Sequence, residues 1–405
     1  MSRTKKSKAV PVVVVLTILL AALAIICFLI NPLVIQPQKD AIAKANQEAR
    51  EAVIEENKKI DAEYRARLSE LESKSKTPTN PSWPSPKENT PWELMDLSQI
   101  PLEHPTAVSQ TRADLATGGM LLVNEWHARP EDIYKEIENQ VVSVAKRFQG
   151  DQKLQAKDNN VTLFPVAVDA LQQAVAGAKA AGYTHYLVEE GYRTFETQQG
   201  YFTKKTEKLA SKYKGDALIA AAKKEVNEPG HSEYNTGLSF DLRLYDRNDP
   251  DVATPKYSTT PEGKWMNENC WRYGIVFRFP QAGWPLETST DKSFKTGVSM
   301  HLNLYRYVGK GNAAIMHFMD FTLEEYIEYL QEHPHIALFV DGVLKYEVYR
   351  QAIGNADPIN VQLTGNTKSF ESSLDNMGAI ITVFNHDEIT DEELAKIADI
   401  ETGNT

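Results

Sequence analysis

Pro229 to Asp241 reads PGHSEYNTGLSFD, and Thr296 to Gly309 reads TGVSMHLNLYRYVG. Between them the two stretches hold His231, Asp241 and His301, three side chains of the types that bind divalent metal through nitrogen or oxygen. They also hold Ser232, Tyr234 and an arginine, Arg306, in a setting of glycine turns and apolar residues. How these positions are read decides both the fold and the chemistry.

Around them lie 405 residues, enough for two folded units with connecting pieces. Hydrophobic residues make up 42% and charged residues 24%, which is a globular composition. The net charge of -11 argues against nucleic acid as a partner. The only cysteines are Cys27, inside an apolar run, and Cys270, so neither a disulfide scaffold nor a cysteine-rich zinc site is available.

Working back to the N-terminus, Ala9 to Ile30 is apolar apart from Thr17 and an early Pro11. About 20 such residues at 1.5 Å rise cross a bilayer core, which predicts a transmembrane helix within 9–35. Arg3, Lys5, Lys6 and Lys8 precede it, so residues 1–8 form a cytoplasmic tail and everything beyond the span is extracytoplasmic. The alternatives are a cleaved signal peptide and a lipid anchor on Cys27. The apolar run exceeds a signal core, and Ile25 and Ile26 stand where a lipid-attachment signal needs small residues.

Residues 36–76 lack glycine and carry Ala49, Val53, Ile60, Tyr64, Leu68 and Leu71 near a 3.5-residue period, which predicts a helical stalk. The stripe is broken by Glu56, leaving a coiled-coil dimer and a solvated single helix both open. Thr77 to Trp92, TPTNPSWPSPKENTPW, reads as an extended proline-rich spacer, so 77–118 are taken as spacer and lead-in.

From 119 to 333 the pattern is α+β. MLLVN, Met120 to Asn124, predicts a short strand; Val168, Leu171, Val175 and Ala178 predict a helix over Phe164–Gly182. Tyr186 to Val188 predicts a buried strand, and Thr194 caps a following helix. Lys204 to Val226 is expected to be charged surface helix. Thr322 to His333 predicts a further helix, and His333 and His335, on either side of Pro334, are expected at the surface. Residues 334–388 form a small β extension with a hairpin turning at Asp341-Gly342, further strands in INVQL and AIITVF, and an acidic helix and tail over 389–405.

Five segments occur in family order and spacing: LLVNEWHARPED, GYRTFETQ, PGHSEYNTGLSFDL, GKWMNENCWRYGIVFRFP and KTGVSMHLNLYRYVG. On these the chain resembles the VanY-like D-alanyl-D-alanine carboxypeptidases over about Leu121 to Leu330. The resemblance implies a small mixed sheet with helices, an extracytoplasmic setting and a pocket for peptidoglycan stem peptides. It also implies a catalytic zinc held by two His and one Asp, with a Glu as general base.

Against that pattern the departures are specific. The family writes Ser-x-His-x-x-Gly-x-Ala-x-Asp; here Tyr234 stands for the first His ligand and Asp241 is retained. The unbroken RYVG, Arg306 to Gly309, fixes the register of the second half, where His301 stands for the base Glu and Leu304 for the second His ligand. Leucine cannot coordinate metal and a neutral phenol is a poor zinc ligand. Arg193, Gln198 and Ser232 match the family's substrate-binding positions, and a guanidinium suits a terminal carboxylate. The competing possibility for Arg193 is an ion pair with Glu189 or Glu190.

The expectation is therefore a membrane-anchored VanY-like pseudoenzyme without metal, partnered by the bilayer and by peptidoglycan stem peptide or an envelope protein. Two alternatives stand beside it. One is an active zinc carboxypeptidase with a shifted ligand set, His231, Asp241 and His301, whose base would be Glu233 or Glu190. The other is a structural component of an envelope complex.

Overall fold

The computed structural model describes residues 91–402 except 254–255 and 366, together with Val15, Ile18 and scattered positions between 37 and 55. The expected anchor, stalk and first part of the spacer fall almost wholly outside the described residues. Among those described, no helix is long and apolar enough to cross a membrane.

The folded unit is built on two five-stranded sheets. Its strands are β1 Trp92–Asp96, β2 Thr106–Gln110, β3 Val142–Ser143, β4 Gln155–Ala156, β5 Thr162–Leu163, β6 Tyr186–Glu190 and β7 Ser239–Leu244. They continue as β8 Ile275–Phe277, β9 Leu304–Tyr307, β10 His335–Val340, β11 Val343–Ala352, β12 Ile359–Leu363, β13 Ser369–Leu374 and β14 Ala379–Asn385. The main helices are α1 Pro165–Ala180, α2 Phe195–Leu209, α3 Gly215–Lys223, α4 Pro261–Asn269, α5 Lys310–Phe318, α6 Leu323–Glu332 and α7 Asp391–Thr402.

The first sheet has the order β4-β6-β7-β9-β8, with β4 parallel to β6 and every other pairing antiparallel. It is the mixed sheet expected for the α+β region. The apolar stripe of α1 seals it: Val168 and Leu171 share one buried cluster with Val188 on β6, Phe240 and Leu242 on β7, and Tyr305 on β9. Burying side chains of this size supplies roughly 1.5–3 kcal/mol each, which is what holds the helix on the sheet.

The second sheet runs β1-β10-β11-β14-β13, and β2 pairs with β12 in a separate ribbon. Asp341 and Gly342 make the two-residue turn between β10 and β11, both with positive φ, the geometry that matches strand twist. Within the stretch read as spacer and lead-in, β1 and β2 are strands, paired with β10 and β12. Proline density just upstream hid them, because a short strand supplying only a partner edge needs little sequence signal.

Two further expectations, Met120 to Asn124 and the two histidines, differ from the structure. Met120 to Asn124 joins no strand ladder beyond a bridge between Asn124 and His127. Its backbone groups are satisfied elsewhere: Arg306 Nη2 donates to the carbonyls of Gly119 and Leu121, and Leu122 N donates to Asp375 O. Lys204 to Val226 is mostly surface helix, as expected, supplied by the end of α2 at Leu209 and by α3 from Gly215, whose φ is +55°. His333 and His335 are buried, His333 Nδ1 lying 2.7 Å from Asp96 Oδ2 and His335 Nε2 2.8 Å from Glu347 Oε1. Pairing β10 with the unforeseen β1 is what carries them inside.

Candidate functional site

The site begins with strand register. On β7, Asp241 stands directly opposite Leu304 of β9 on one side and Glu190 of β6 on the other. Cross-strand partners point to the same face, so these three side chains form one row. An irregularity between Val188 and Glu190 sets the second pairing, bringing Glu190 rather than Glu189 beside Asp241.

Tyr234 reaches the row from above. It lies in the tight turn Glu233–Thr236, which ends at Gly237 with φ +69°. A Cβ at Gly237 would come within 2.7 Å of the Phe164 ring, so the turn needs glycine for space as well as conformation. Asn235 stitches the turn down: its Nδ2 donates to Arg193 O at 2.8 Å and its Oδ1 accepts from Gly230 N at 3.1 Å. The Tyr234 hydroxyl then donates to Asp241 Oδ2 at 2.5 Å.

Burial drives the Asp241 carboxyl up to about 6, although the Tyr234 hydrogen bond and the Arg193 charge pull the other way. Burial likewise carries the Tyr234 phenol well above its ordinary range, so it remains a neutral donor. Asp241 Oδ1 is buried with no hydrogen-bond partner. Leu304, 1% exposed, fills the far side.

Arg193 lies over the Tyr234 ring, its Cζ 3.9 Å from the ring centroid, with the Tyr201 centroid 4.9 Å away. Its Nη2 donates to Glu190 Oε2 at 3.0 Å and its Nη1 to Gln198 Oε1 at 3.3 Å. Arg193 thus pairs with Glu190, while Glu189 pairs instead with Lys157 and Arg243. Gln198 is only 1% exposed and spends its Nε2 on Asn227 O at 2.7 Å.

These residues line one end of a cleft of 530 Å³. Ser232, Tyr234 and Leu304 contribute to its floor end, α2 supplies one wall, and Phe279, Val298 and Met300 supply apolar surface. Asp241 does not line the cleft; it lies behind Tyr234 and Leu304.

The remaining candidate residues do not gather here. His231 Nδ1 lies 3.0 Å from Asn124 O, and His301 is stacked flat on Trp284, centroids 4.8 Å apart and planes 5° from parallel. Neither ring lines the cleft. Among the described residues no group of three or more His, Cys, Asp or Glu is placed to hold a metal ion. The donors therefore do not fit the zinc that the family pattern implies: one oxygen of the surviving carboxylate is held by a phenol, and a hydrocarbon side chain stands where an imidazole is required.

Of the two bases considered, Glu190 is tied to Arg193 and Glu233 is locked in a buried ion network. Arg278 Nε donates to Glu233 Oε1 at 2.7 Å; Arg306 Nη1 and Ser239 Oγ donate to Oε2 at 2.7 and 2.6 Å. Arg278 also grips Glu324 with two bonds, at 2.6 and 2.9 Å. Burial would raise the Glu233 carboxyl, but the two guanidiniums outweigh it and hold it below its ordinary value, so it is a permanent anion. The sequence alone does not reveal this network: Arg278 lies in the family segment GKWMNENCWRYGIVFRFP but its partners Glu233 and Glu324 are each about 45 residues away along the chain.

Against this geometry, the family model for VanY, D-alanyl-D-alanine carboxypeptidase, matches residues 160–301. A D-alanyl-D-alanine carboxypeptidase of Enterococcus faecium is 29% identical over 275 residues, 68% of this chain and 78% of its own. The putative carboxypeptidase YodJ of Bacillus subtilis (strain 168) is 31% identical over 209 residues, 52% of this chain and 67% of its own. The chain belongs to the VanY family. Among solved structures, the vancomycin resistance D,D-dipeptidase VanXYg, in complex with a D-Ala-D-Ala phosphinate analogue, shares the VanY fold. It aligns at a TM-score of 0.52 and 20% identity over 69% of this chain and 99% of its own.

Proposed function

We propose that this VanY-family chain is a membrane-anchored, extracytoplasmic protein that holds the carboxylate end of a peptidoglycan stem peptide without hydrolysing it. The observation that carries the proposal is the Tyr234–Asp241 bond with Leu304 opposite, which occupies the ground a catalytic cation needs. Without a Lewis acid there is no activated water, and neither Glu190 nor Glu233 is free to act as a base.

Binding does not need any of these groups. The cleft keeps Arg193, Gln198 and Ser232 at one end. A guanidinium offers five N–H groups in a planar fork, and the bonds to Glu190 and Gln198 use two of them. A terminal carboxylate is the ligand group such a fork recognises best. The apolar run within 9–35 and the stalk and spacer that follow would carry the cleft outward from the bilayer toward the wall.

The test uses the full-length chain in detergent. Metal analysis is expected to find no stoichiometric zinc, and D-alanine release from a stem peptide is expected to be absent, while the same peptide binds and Arg193→Ala weakens it. One zinc per chain, with D-alanine released and release lost in Asp241→Ala, overturns the proposal.

A further inference from the structure

The cleft extends well past the Arg193 end, and its far wall carries charge that the reading above does not use. The α2 face that begins at Gln198 continues through Tyr201, Lys204, Lys205 and Lys208, all lining the cleft. Lys205 is paired with Glu225. Lys204 and Lys208, one helical turn apart, have no carboxylate within ion-pair distance among the described residues. Glu225 acts on Lys208 only from beyond that distance, so Lys204 and Lys208 stand as two ammonium groups without a direct ion pair on one wall of a cleft, which is unexpected on a chain of net charge -11.

Glu225 and Glu233 also line the cleft but are held in ion pairs with Lys205 and with Arg278 and Arg306, and the remaining lining is polar at Asn227 and Ser232 and otherwise largely apolar. Tyr201 and Met300 both line it and are 41% and 45% exposed. Phe279 and Val298 line the cleft as well. A ligand matched to this surface is extended, carries apolar or small residues along its middle, and is anionic at two separated points.

The separation follows from helix geometry. Gln198 touches Arg193, and from Gln198 to Lys204 and Lys208 is six and ten residues, about 9 and 15 Å at 1.5 Å per residue. An extended peptide advances about 3.3 Å per residue, so a second carboxylate would lie about three to four residues before the first.

We infer that the cleft is specific for peptides bearing two carboxylates: the C-terminal one at Arg193, and an acidic side chain three to four residues upstream between Lys204 and Lys208. This rests on the terminal-carboxylate reading proposed above and adds the second subsite to it.

The experiment is fluorescence anisotropy on the full-length chain in detergent. The probes are fluorescein-labelled Gly-Glu-Ala-D-Ala-D-Ala, its Gln twin, and both with an amidated C-terminus. The Glu peptide is expected to bind about fivefold more tightly than the Gln peptide at low salt. That preference is expected to vanish in Lys204→Gln/Lys208→Gln, to reverse in Lys204→Glu/Lys208→Glu, and to fade at about 0.5 M salt as screening shortens to a few ångströms. Amidation is expected to weaken both. Equal binding of the Glu and Gln peptides, with amidation still costly, overturns the second subsite and leaves the first. A preference that survives the double lysine substitution overturns its placement on α2. Indifference to amidation, or no binding by any probe, overturns the terminal-carboxylate reading itself.

Discussion

Leu304 stands directly opposite Asp241 in the β7–β9 ladder, with the Tyr234 hydroxyl 2.5 Å from the carboxylate they flank. On the proposed reading, these are the places of a metal site whose side chains have been exchanged around Asp241. Because register is set by main-chain pairing and by the buried face of β7, side chains at these places can be exchanged without moving the strands.

That independence gives the first prediction. Tyr234→His combined with Leu304→His should restore three convergent ligands with Asp241, and the double variant should bind one zinc per chain by metal analysis. Either single variant should bind at least tenfold more weakly. A folded double variant that stays metal-free would show that the ladder alone does not set the ligand positions.

The buried acid makes stability depend on pH in an unusual direction. Asp241 titrates at about 6 in the folded chain and near its ordinary 3.8 when unfolded. Between pH 6 and pH 4 the folded state therefore takes up a proton that the unfolded state does not, so this site adds stability as pH falls through that window. Above pH 6 the carboxylate is ionised in both states and the penalty is constant, about 3 kcal/mol relative to acid. Denaturant unfolding of Asp241→Asn should lack this component. The difference between wild type and variant should change by up to about 3 kcal/mol from pH 4 to pH 7, and a flat difference would contradict it.

Under the cleft, the Glu233–Arg278–Glu324 network should behave as a structural unit. Arg278→Met leaves two buried carboxylates without their shared partner and should cost about 3–5 kcal/mol in chemical denaturation. Glu233→Gln should cost less, since Arg278 keeps Glu324. Equal losses from both changes would mean that the network is not organised around Arg278.

Glu190 competes with any carboxylate for Arg193. Glu190→Gln should therefore tighten binding of a C-terminal carboxylate probe by a few-fold, whereas Arg193→Ala should weaken it about tenfold. Unchanged affinity in Glu190→Gln would remove the electrostatic argument.

Much of this is legible in the amino-acid sequence. The Thr194 and Thr322 caps start their helices, with Thr194 accepting from Thr197 N and Thr322 forming a reciprocal box with Glu325. Asp341-Gly342 turns its hairpin because few residues besides glycine tolerate such φ values. RYVG aligns Leu304 with the family's second His position, and the structure pairs Leu304 with Asp241 across the ladder. Long-range partners were not legible. Nothing in TPTNPSWPSPKENTPWELMD announces that its last five residues pair with a segment about 240 residues later. Nor does His335 reveal that its imidazole is buried against Glu347, for burial there depends on a neighbour distant in sequence. The β13 segment SFESSL carries little strand signal, because three serines and a glutamate mask a strand whose ladder partner is β14.

The pairing of β1 with β10 also closes the molecule on itself, since the start of the folded unit is clasped by its last third. Trimming the gene to residues 119–333, the part that reads as peptidase, would sever that clasp twice over. It would discard β1 and β2 from one end and their partners β10 and β12 from the other. Met120, whose N–H donates to Ser373 Oγ, would then face water in place of β13. The excised fragment should be the aggregation-prone one, and the smallest soluble piece should run from Pro91 to the end of β14.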